Sequence, residues 1–232
     1  MRIMPVASGS AGNCYIVTDS VTTIMIDCGV PVYRVNTYVW NEMMRMSDIK
    51  GVLVSHCHAD HCKYAQALAD KGRDVYASHG TIEAAGLSGH RVHEIGAEER
   101  IGSFRVFTFY VQHDAPDSLG FVVCSDFGSR LLYVTDTPKV PVRVDGVTHL
   151  MIEANYDPEI ITGNAESGAI THARAARTLY NHMSIGETLK EIQRMDKSSL
   201  KEVWLLHLSD DNASENFKQR VQEITGVEVY IA

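Results

Sequence analysis

The sequence predicts a mixed α/β fold, and three observations lead to that prediction. Short runs of β-branched and aromatic residues recur along the chain, as is typical of strands. Segments with apolar residues at helical spacing lie between several of these runs. The 232 residues contain no linker, internal repeat or shift in composition, so we expect a single domain over residues 1–232.

The predicted strands share their composition and the way in which they end. They are rich in Val, Ile, Tyr, Phe and Thr, and several end in His, Asp or Glu. A polar residue at a strand end projects from a rigid scaffold into a loop, where functional groups concentrate. The predicted strands are YIVT, TIMID, GVLVSH, DVYAS, FRVFTFYV, GFVVCS, RLLYVTD, HLMIEA, EVWLLHL and VEVYI.

Helical patterns separate some of these strands. Two of the patterns begin with a capping-box arrangement, Ser184 with Glu187 and Asn212 with Glu215. The predicted helices span residues 60–72, 171–183, 185–195 and 212–226.

Composition limits the location and the partners of the chain. The N-terminal stretch lacks the basic start and apolar run of a signal peptide, and no stretch approaches about 20 apolar residues. The five cysteines are scattered and odd in number, which favours reduced thiols. We therefore expect a cytoplasmic protein without a membrane span. The net charge of −8 argues against bulk electrostatic binding of nucleic acid, although a local basic groove or bound metal ions would supply positive charge.

The segment SHCHADH, residues 55–61, concentrates chemistry. His56 and His58 are two positions apart, so an extended backbone points both imidazoles the same way. Asp60 and His61 follow at the turn into a predicted helix. Imidazoles and carboxylates together suit zinc or a similar divalent ion. A chance cluster on a solvated loop is the alternative, and four potential ligands within six positions argue against it.

This H-x-H-x-D-H spacing resembles the signature of the metallo-β-lactamase superfamily, and the resemblance continues along the chain. It implies three later ligands, His113 in FYVQHDAPDSLGF, Asp136 in LLYVTDT and His207 in VWLLHLS. It also implies that Asp27, in TIMIDCG, orients a ligand imidazole. The implied fold is an α/β fold of the αβ/βα type, a four-layer sandwich with two sheets inside and helices outside.

The resemblance also assigns the ligands to two divalent metal ions. Zinc is the expected metal because the set is rich in histidine, and manganese is the alternative. Asp136 is implied as a ligand of both ions. One ion would take His56, His58, His113 and Asp136, and the other would take Asp60, His61, Asp136 and His207.

The remaining histidines and the nearby cysteines are expected to serve other purposes. Cys57 and Cys62 flank the ligands, and burial as inert thiols is favoured over contact with a metal. Surface or packing roles are expected for His79, His90, His93, His149 and His172.

Several segments resemble one branch of the superfamily, the WalJ/YycJ type, which contains DNA exonucleases. The start SGSAGN followed by TIMIDCG carries the resemblance, together with HDAPDSLGFVV, IEANYD and HLSDDN. One departure is YNHMS, in which Asn181 stands where relatives have glycine. The resemblance implies a nucleic acid substrate, in particular DNA.

Glu153 and His182 resemble a further pair, that of ribonuclease Z and related nucleases. There the histidine protonates the leaving oxygen, and the adjacent carboxylate stabilises the imidazolium and fixes its tautomer. Phosphodiester cleavage needs such a donor because an alkoxide is a poor leaving group. Glu153 and His182, together with Asp60 of the histidine motif, are the predicted catalytic residues. The alternative is an unrelated helix-end histidine and strand-end glutamate.

Three further residues are predicted to bind substrate. Asn13 and the backbone amides around it would line the substrate cleft, unless this segment is a purely structural turn. Arg174 and Arg177 lie one helical turn apart and would hold phosphates, although a solvated helix face is the commoner meaning of such a pair. Lys139 and Arg143 are similar candidates.

The predicted function is that of a metal-dependent phosphodiesterase, most specifically a DNA exonuclease. The space between Asp136 and His207 is too short for the domain that β-CASP ribonucleases insert there. One alternative is a small-molecule hydrolase, such as a lactonase, a thioesterase or a cyclic-nucleotide phosphodiesterase. Another is a non-catalytic binding module stabilised by metal. The full ligand set argues against the binding module, because a structural site needs only one closed ion.

Overall fold

The computed structural model describes residues 1–214 and 216–232, and strands and helices are interspersed in it as the sequence predicts. The strands are β1 Arg2–Ala7, β2 Cys14–Thr18, β3 Thr23–Ile26, β4 Ile49–Leu53, β5 Val75–Ala77, β6 Val92–Glu94, β7 Glu98–Ile101, β8 Phe104–Tyr110, β9 Leu119–Ser125, β10 Arg130–Val134, β11 His149–Glu153, β12 Glu202–Leu206 and β13 Glu228–Ile231. The helices are α1 Val32–Asn41, α2 Ala59–Cys62, α3 Ala65–Asp70, α4 His79–Ala85, α5 Pro158–Glu166, α6 His172–Asn181, α7 Ile185–Arg194 and α8 Phe217–Thr225.

The chain divides into two compact units. Unit 1 comprises Met1–Tyr110 and Ala115–Ser129, and unit 2 comprises Val111–Asp114 and Arg130–Ala232. The expectation of one domain over the whole length stays a prediction.

Unit 1 contains a six-stranded sheet in the order β1-β2-β3-β4-β5-β6. The first three strands pair antiparallel, and β3 to β6 pair parallel. Strands β7, β8 and β9 form an antiparallel set in the same unit. The core combines strand residues such as Ile16, Met25 and Val52, which are fully buried, with Val35 of α1 and Leu68 of α3. Each such side chain contributes about 1.5–3 kcal/mol by leaving water.

The described residues of unit 2 form four strands, β10 to β13, and each pairs in parallel with the next. Parallel strands covered on both faces have continuous apolar runs rather than alternation. Strand β11 follows this rule, since all five of its residues are buried. Two helices of this unit pack through their apolar faces, α7 through Ile185 and Ile192 and α8 through Phe217 and Val221.

The helix predicted over residues 60–72 is interrupted in the structure, and hydrogen bonds to distant segments explain why. It forms two short helices, α2 and α3. The carbonyl oxygen of Asp60 accepts from the Asn13 amide at 2.6 Å, and the Tyr64 amide donates to Cys28 at 3.1 Å. In an uninterrupted helix these two groups would bond to each other. Tertiary bonds that hold the motif in place therefore break the helix.

The other predicted helices differ in how well their starts were placed. Helix α7 begins as predicted, because the Ser184 hydroxyl accepts from the Glu187 amide at 3.1 Å. The start at Asn212 was wrong, since α8 begins at Phe217, and Glu215 lies outside the described residues. The Asn212 side chain bonds to Asn164 instead, at 2.9 Å. No helix in the described chain is long and apolar enough to cross a membrane.

Candidate functional site

Parallel strands in unit 1 bring two motif segments to one sheet edge. Ile26 pairs with Leu53, so the residues that follow β3 and β4 emerge side by side. Asp27 follows β3 directly, and Ser55 and His56 follow β4. Carboxyl ends of parallel strands are where α/β proteins place their ligand-binding groups.

The three motif histidines cluster at this edge. The ring centroids of His56 and His58 are 4.9 Å apart, and those of His56 and His61 are 4.2 Å apart. The Asp60 carboxylate lies 3.4 Å from His61 Nε2. His56 and His61 are buried, whereas His58 and Asp60 are partly exposed. The predicted unit 1 ligands are thus brought together on one short segment.

A buried carboxylate orients these rings. Asp27 Oδ2 lies 2.7 Å from His61 Nδ1, and Asp27 Oδ1 accepts from the Ser55 amide at 2.8 Å. The Ser55 hydroxyl donates to Asp27 Oδ2 at 3.0 Å and lies 3.0 Å from His56 Nδ1. Asp27 thereby fixes His61 directly and His56 through Ser55. A carboxylate behind an imidazole is the usual support of a metal-ligating histidine.

Asn13 packs against the motif. Its side-chain nitrogen lies 2.9 Å from His61 Nε2 and 3.1 Å from the Gly9 carbonyl oxygen, and its Oδ1 accepts from the Tyr15 hydroxyl at 3.0 Å. The side chain is fully buried. These contacts hold the loop at residues 9–13 against Asp60 and His61, and the predicted substrate contact of Asn13 stays a prediction.

Burial also decides the state of a flanking thiol. Burial raises the pKa of Cys62 to about 12, so the thiol is protonated and neutral at neutral pH in the absence of a ligand. Cys62 belongs to the apolar core of unit 1 together with Cys14 and Cys28. Cys62 thus agrees with the expectation of a buried, inert thiol, whereas Cys57 is only partly buried.

Strand ends in unit 2 assemble a second donor group. Strands β10, β11 and β12 are parallel and in register, with Val134 beside Ile152 and Ile152 beside Leu205. Asp136, Glu153 and His207 therefore emerge at one edge. Donor atoms of Asp136, Glu153, His182 and His207 all lie within 4.8 Å of one another.

Glu153 is held at both carboxylate oxygens. Oε1 lies 2.6 Å from His182 Nδ1, and Oε2 accepts from the amides of Thr137 and Met183, each at 3.2 Å. Glu153 is fully buried, whereas 19% of the His182 side chain is exposed. A carboxylate at Nδ1 fixes the imidazole tautomer and leaves Nε2 for a reacting partner. This is the pairing that the family resemblance implied for these two residues, and their catalytic role stays a prediction.

Asn155 supports His207 in the same unit. Its side-chain nitrogen donates to the His207 carbonyl oxygen at 2.7 Å and lies 3.1 Å from His207 Nδ1. The His207 ring stacks on the His182 ring, with centroids 5.1 Å apart. The His113 and His182 rings meet edge to face at 6.0 Å. His182 thus lies beside four other predicted site residues, namely His113, Asp136, Glu153 and His207.

Three of the predicted site residues have an unusual backbone conformation. Asp27, Asp136 and His207 have φ values of 57°, 53° and 53°. Each lies one or two residues after a strand, and residues other than glycine rarely adopt this left-handed backbone conformation. Backbone strain of this kind concentrates at functional sites, where it aims a side chain that regular geometry would misdirect.

The two predicted phosphate-binding arginines form surface ion pairs. Arg174 lies 3.0 Å from Asp211, and Arg177 lies 3.0 Å from Asp114. Both arginine side chains are more than half exposed. Exposed pairs contribute little to stability, so either arginine can exchange its carboxylate for a phosphate at small cost.

The donor sets fit divalent metal ions by their chemistry. Imidazole nitrogens and carboxylate oxygens predominate, and buried carboxylates or amides support them from behind. The sequence reasoning missed two of these supports, Ser55 and Asn155. Ser55 directly precedes His56, and Asn155 lies two residues beyond Glu153 at a strand end, so their positions beside predicted site residues were the available signal.

Comparisons with known proteins agree with this picture. A family model described as "Beta-lactamase superfamily domain" matches residues 22–207. The exodeoxyribonuclease WalJ of Streptococcus pneumoniae is 28% identical, over 89% of this chain and 81% of its own length. The exodeoxyribonuclease YycJ of Bacillus anthracis is 26% identical, over 94% of this chain and 86% of its own length. The predicted resemblance to the WalJ/YycJ branch is thus confirmed.

The fold has a counterpart among solved structures. The metallo-β-lactamase fold protein YhfI of Bacillus subtilis superposes with a TM-score of 0.73 and 17% identity, over 99% of this chain and 95% of that one. This likeness confirms the predicted fold class, the α/β architecture of metallo-β-lactamase proteins.

Proposed function

Because the chain belongs to the β-lactamase superfamily, we propose that it is a metal-dependent phosphodiesterase that degrades DNA as an exonuclease. The family and the donor groups at the strand ends support a metal-dependent hydrolase. Two relatives named as exodeoxyribonucleases support the more specific proposal of DNA exonuclease activity. The observation that carries the proposal is the 2.6 Å contact between Glu153 Oε1 and His182 Nδ1.

The proposed ligands are the seven residues that the family resemblance assigns. When bound, two divalent ions would activate water as the nucleophile and offset charge on the phosphoryl oxygens. Zinc is the first choice from the number of imidazoles, and manganese the second. The ligands are His56, His58, Asp60, His61, His113, Asp136 and His207.

His182 supplies what a phosphodiesterase needs beyond nucleophile activation. The leaving oxygen departs as an alkoxide unless it receives a proton, and general acid catalysis of this kind is worth about 10²–10⁴-fold in rate. Glu153 holds Nδ1, so Nε2 of the imidazolium would donate that proton. The two amides on Glu153 Oε2 keep the carboxylate in place while the charge on the ring changes.

Arg174 and Arg177 are proposed to bind phosphates of the same substrate. Both lie on α6, the helix that ends directly before His182. Their partners Asp211 and Asp114 are themselves partly exposed, so substrate phosphates can replace them.

A small-molecule hydrolase is the second candidate, and the net charge of −8 favours it. A polyanion is repelled by an acidic chain unless metal ions and local cations compensate. A lactone or thioester carries less charge. A thioester releases a thiolate, which needs no proton, whereas a lactone, like a phosphodiester, expels an alkoxide. The Glu153–His182 pair therefore favours a phosphodiester over a thioester, and the assay below separates it from a lactone.

The deciding experiment is hydrolysis of end-labelled double-stranded DNA, single-stranded DNA and RNA with zinc or manganese added. We expect metal-dependent release of nucleotides from DNA, and the product ladder gives the polarity of cleavage. The double variant Asp60→Ala/His61→Ala is the matched control and should release none. Turnover of a generic lactone or thioester, with every polymer left intact, would instead establish the small-molecule hydrolase.

A further inference from the structure

An aromatic face lies exposed on α1 in unit 1. Tyr33 and Trp40 are 75% and 73% exposed, unusually high values for such large apolar side chains. They are seven positions apart, so they lie on the same side of the helix, about 10 Å apart along its axis. Met43, just past the helix end, is 97% exposed and extends the same apolar surface. Exposed apolar patches of this kind mark binding surfaces.

Grooves flank both aromatic residues. A groove of about 380 Å³ beside Tyr33 is also lined by Asn36, Lys71 and Arg73. Its lining contains two cations and no carboxylate. The Arg73 guanidinium donates to the Met46 carbonyl oxygen at 3.1 Å, and within residues 1–214 and 216–232 neither cation forms an ion pair.

The second groove lies beside Trp40. It has a volume of about 570 Å³ and is lined in addition by Met43, Met44, Arg45 and Asp48. Arg45 shares its charge with Asp48, which lies 3.4 Å away. The positive charge of the surface is therefore concentrated at the Tyr33 end, in a chain whose net charge is −8.

Helix α1 is connected to the histidine motif of the same unit. The segment before it packs on Asp60 and His61, since the Cys28 amide donates to the His61 carbonyl oxygen at 2.7 Å. At Gly29 the approach is so close that an added Cβ would lie 1.7 Å from the Asp60 carbonyl oxygen. Tyr33 lies in the first turn of α1, only a few residues beyond Gly29. The chain thus passes directly from its contact with the motif at Gly29 into the helix that carries the aromatic face.

We infer that this face of α1, with its two grooves, binds a single strand of the DNA substrate beyond the hydrolysed bond. The inference rests on the proposed nuclease function and adds a substrate-binding surface to it. Tyr33 and Trp40 stack bases, and Lys71 and Arg73 face the backbone phosphates. Aromatic platforms beside cationic grooves are how proteins bind single strands without sequence preference. Their spacing suits two bases that are not direct neighbours.

Binding and hydrolysis by the metal-loaded full chain test the inference. Binding is measured by tryptophan fluorescence with oligothymidylate of about 20 nucleotides, in a His182→Ala background that slows cleavage. We expect the oligonucleotide to quench Trp40. The double variant Tyr33→Ala/Trp40→Ala should weaken its affinity, measured by anisotropy of a labelled strand, on the order of 10-fold or more per aromatic. Trp40→Phe should retain most of the affinity, because a smaller ring still stacks.

Phe127→Ala is the matched control, since Phe127 is 64% exposed in the same unit but outside this surface. It should bind like the parent chain. Equal binding by Tyr33→Ala/Trp40→Ala and Phe127→Ala overturns the inference. It is also overturned if the double variant changes a dimer into a monomer in sedimentation, or if anionic vesicles quench Trp40 and the oligonucleotide does not.

The ratio of kcat/KM for the long strand to kcat/KM for bis(p-nitrophenyl) phosphate separates this inference from the proposed function. A fall in the ratio for Tyr33→Ala/Trp40→Ala supports the surface, because the small diester is too short to reach it. DNA cleavage with an unchanged ratio overturns the surface and leaves the nuclease intact. Trp40-dependent binding without cleavage of any polymer supports the surface and refutes the nuclease.

Discussion

The two units carry their donor groups in contrasting ways. In unit 1 the donor group lies within His56–His61, directly after the end of one strand, and Asp27, which follows the neighbouring strand, supports it. In unit 2 the donors come from segments far apart in the sequence and meet because three parallel strands end at one edge. A contiguous donor group can be recognised in the sequence as a motif. A dispersed donor group can be recognised only once strand order and register are known. In the proposed mechanism the two units would also divide their labour, because Glu153 and His182, which would supply the proton to the leaving oxygen, both lie in unit 2.

The largest expected effect tests that division. His182→Ala should lower kcat for DNA about 100-fold or more while the metal content of the protein stays unchanged, because its proposed role is to protonate the leaving oxygen. His58→Ala, its counterpart in unit 1, should lower the metal content. The value of kcat is measured by steady-state hydrolysis of DNA, and the metal content by elemental analysis. Loss of metal from His182→Ala would contradict this division of labour, and so would full activity of the variant on DNA.

The next effect compares the supports behind the ligands. Asp27→Ala and Asn155→Ala should each weaken metal binding by about 10–100-fold, as measured by titration with a competing chelator. We expect the larger loss for Asp27→Ala, because Asp27 holds both Ser55 and His61, whereas Asn155 holds only His207. Equal metal affinities of the parent and both variants would show that the hydrogen bonds of Asp27 and Asn155 to the imidazole rings do not contribute to metal binding.

The smallest effect concerns stability alone. In unit 1 the Asp19 carboxylate accepts from the Thr22 amide at 2.8 Å and from the hydroxyls of Ser103 and Ser125 at 2.7 and 2.6 Å. Burial acts to raise the pKa of Asp19, but hydrogen bonds led by that from Ser125 outweigh it and lower the pKa below its ordinary value. Asp19→Asn should lower the free energy of unfolding by about 1–3 kcal/mol at pH 7 and leave metal affinity unchanged.

The pH dependence of that effect has a definite sign. The unfolded carboxyl has a pKa of about 3.9, and the folded one lies lower. The stabilisation by Asp19 is therefore complete above the unfolded pKa and disappears as the pH falls through the folded pKa. Urea unfolding from pH 7 down to pH 3 should show the parent and Asp19→Asn converging. Parallel curves over that range would contradict the assignment.

The structure shows which parts of the fold the sequence could predict. Strand runs and helix α7 were predictable, because local apolar pattern and the Ser184 cap determine them. Strand β1 was not, since Pro5 interrupts its pattern. A strand at the edge of a sheet tolerates a proline, which has no backbone N–H to donate. Helix α1 buries only Val35 and Val39, too short a pattern to recognise. The break between α2 and α3 depends on bonds from Asn13 and Cys28, which no local pattern encodes.

The candidate site divides in the same way. The motif from His56 to His61 was predictable from spacing alone, because its members are consecutive on one loop. Glu153 and His182 were predicted only through family resemblance, since nothing local links positions on a strand and past a helix. Ser55 and Asn155 act through hydrogen bonds that exist only once the parallel strands have aligned. Their roles are properties of the folded chain.

The all-parallel pairing of β10 to β13 has a consequence for how the protein folds. Each parallel pair requires a long crossover, and β11 meets β12 across about 50 positions of chain. Closing such loops loses entropy before the pairing returns any energy, so parallel sheets form slowly. The unit 2 donors converge only after these crossovers have closed. Refolding in the presence of metal should therefore show tight metal capture in the slowest kinetic phase, together with the return of activity.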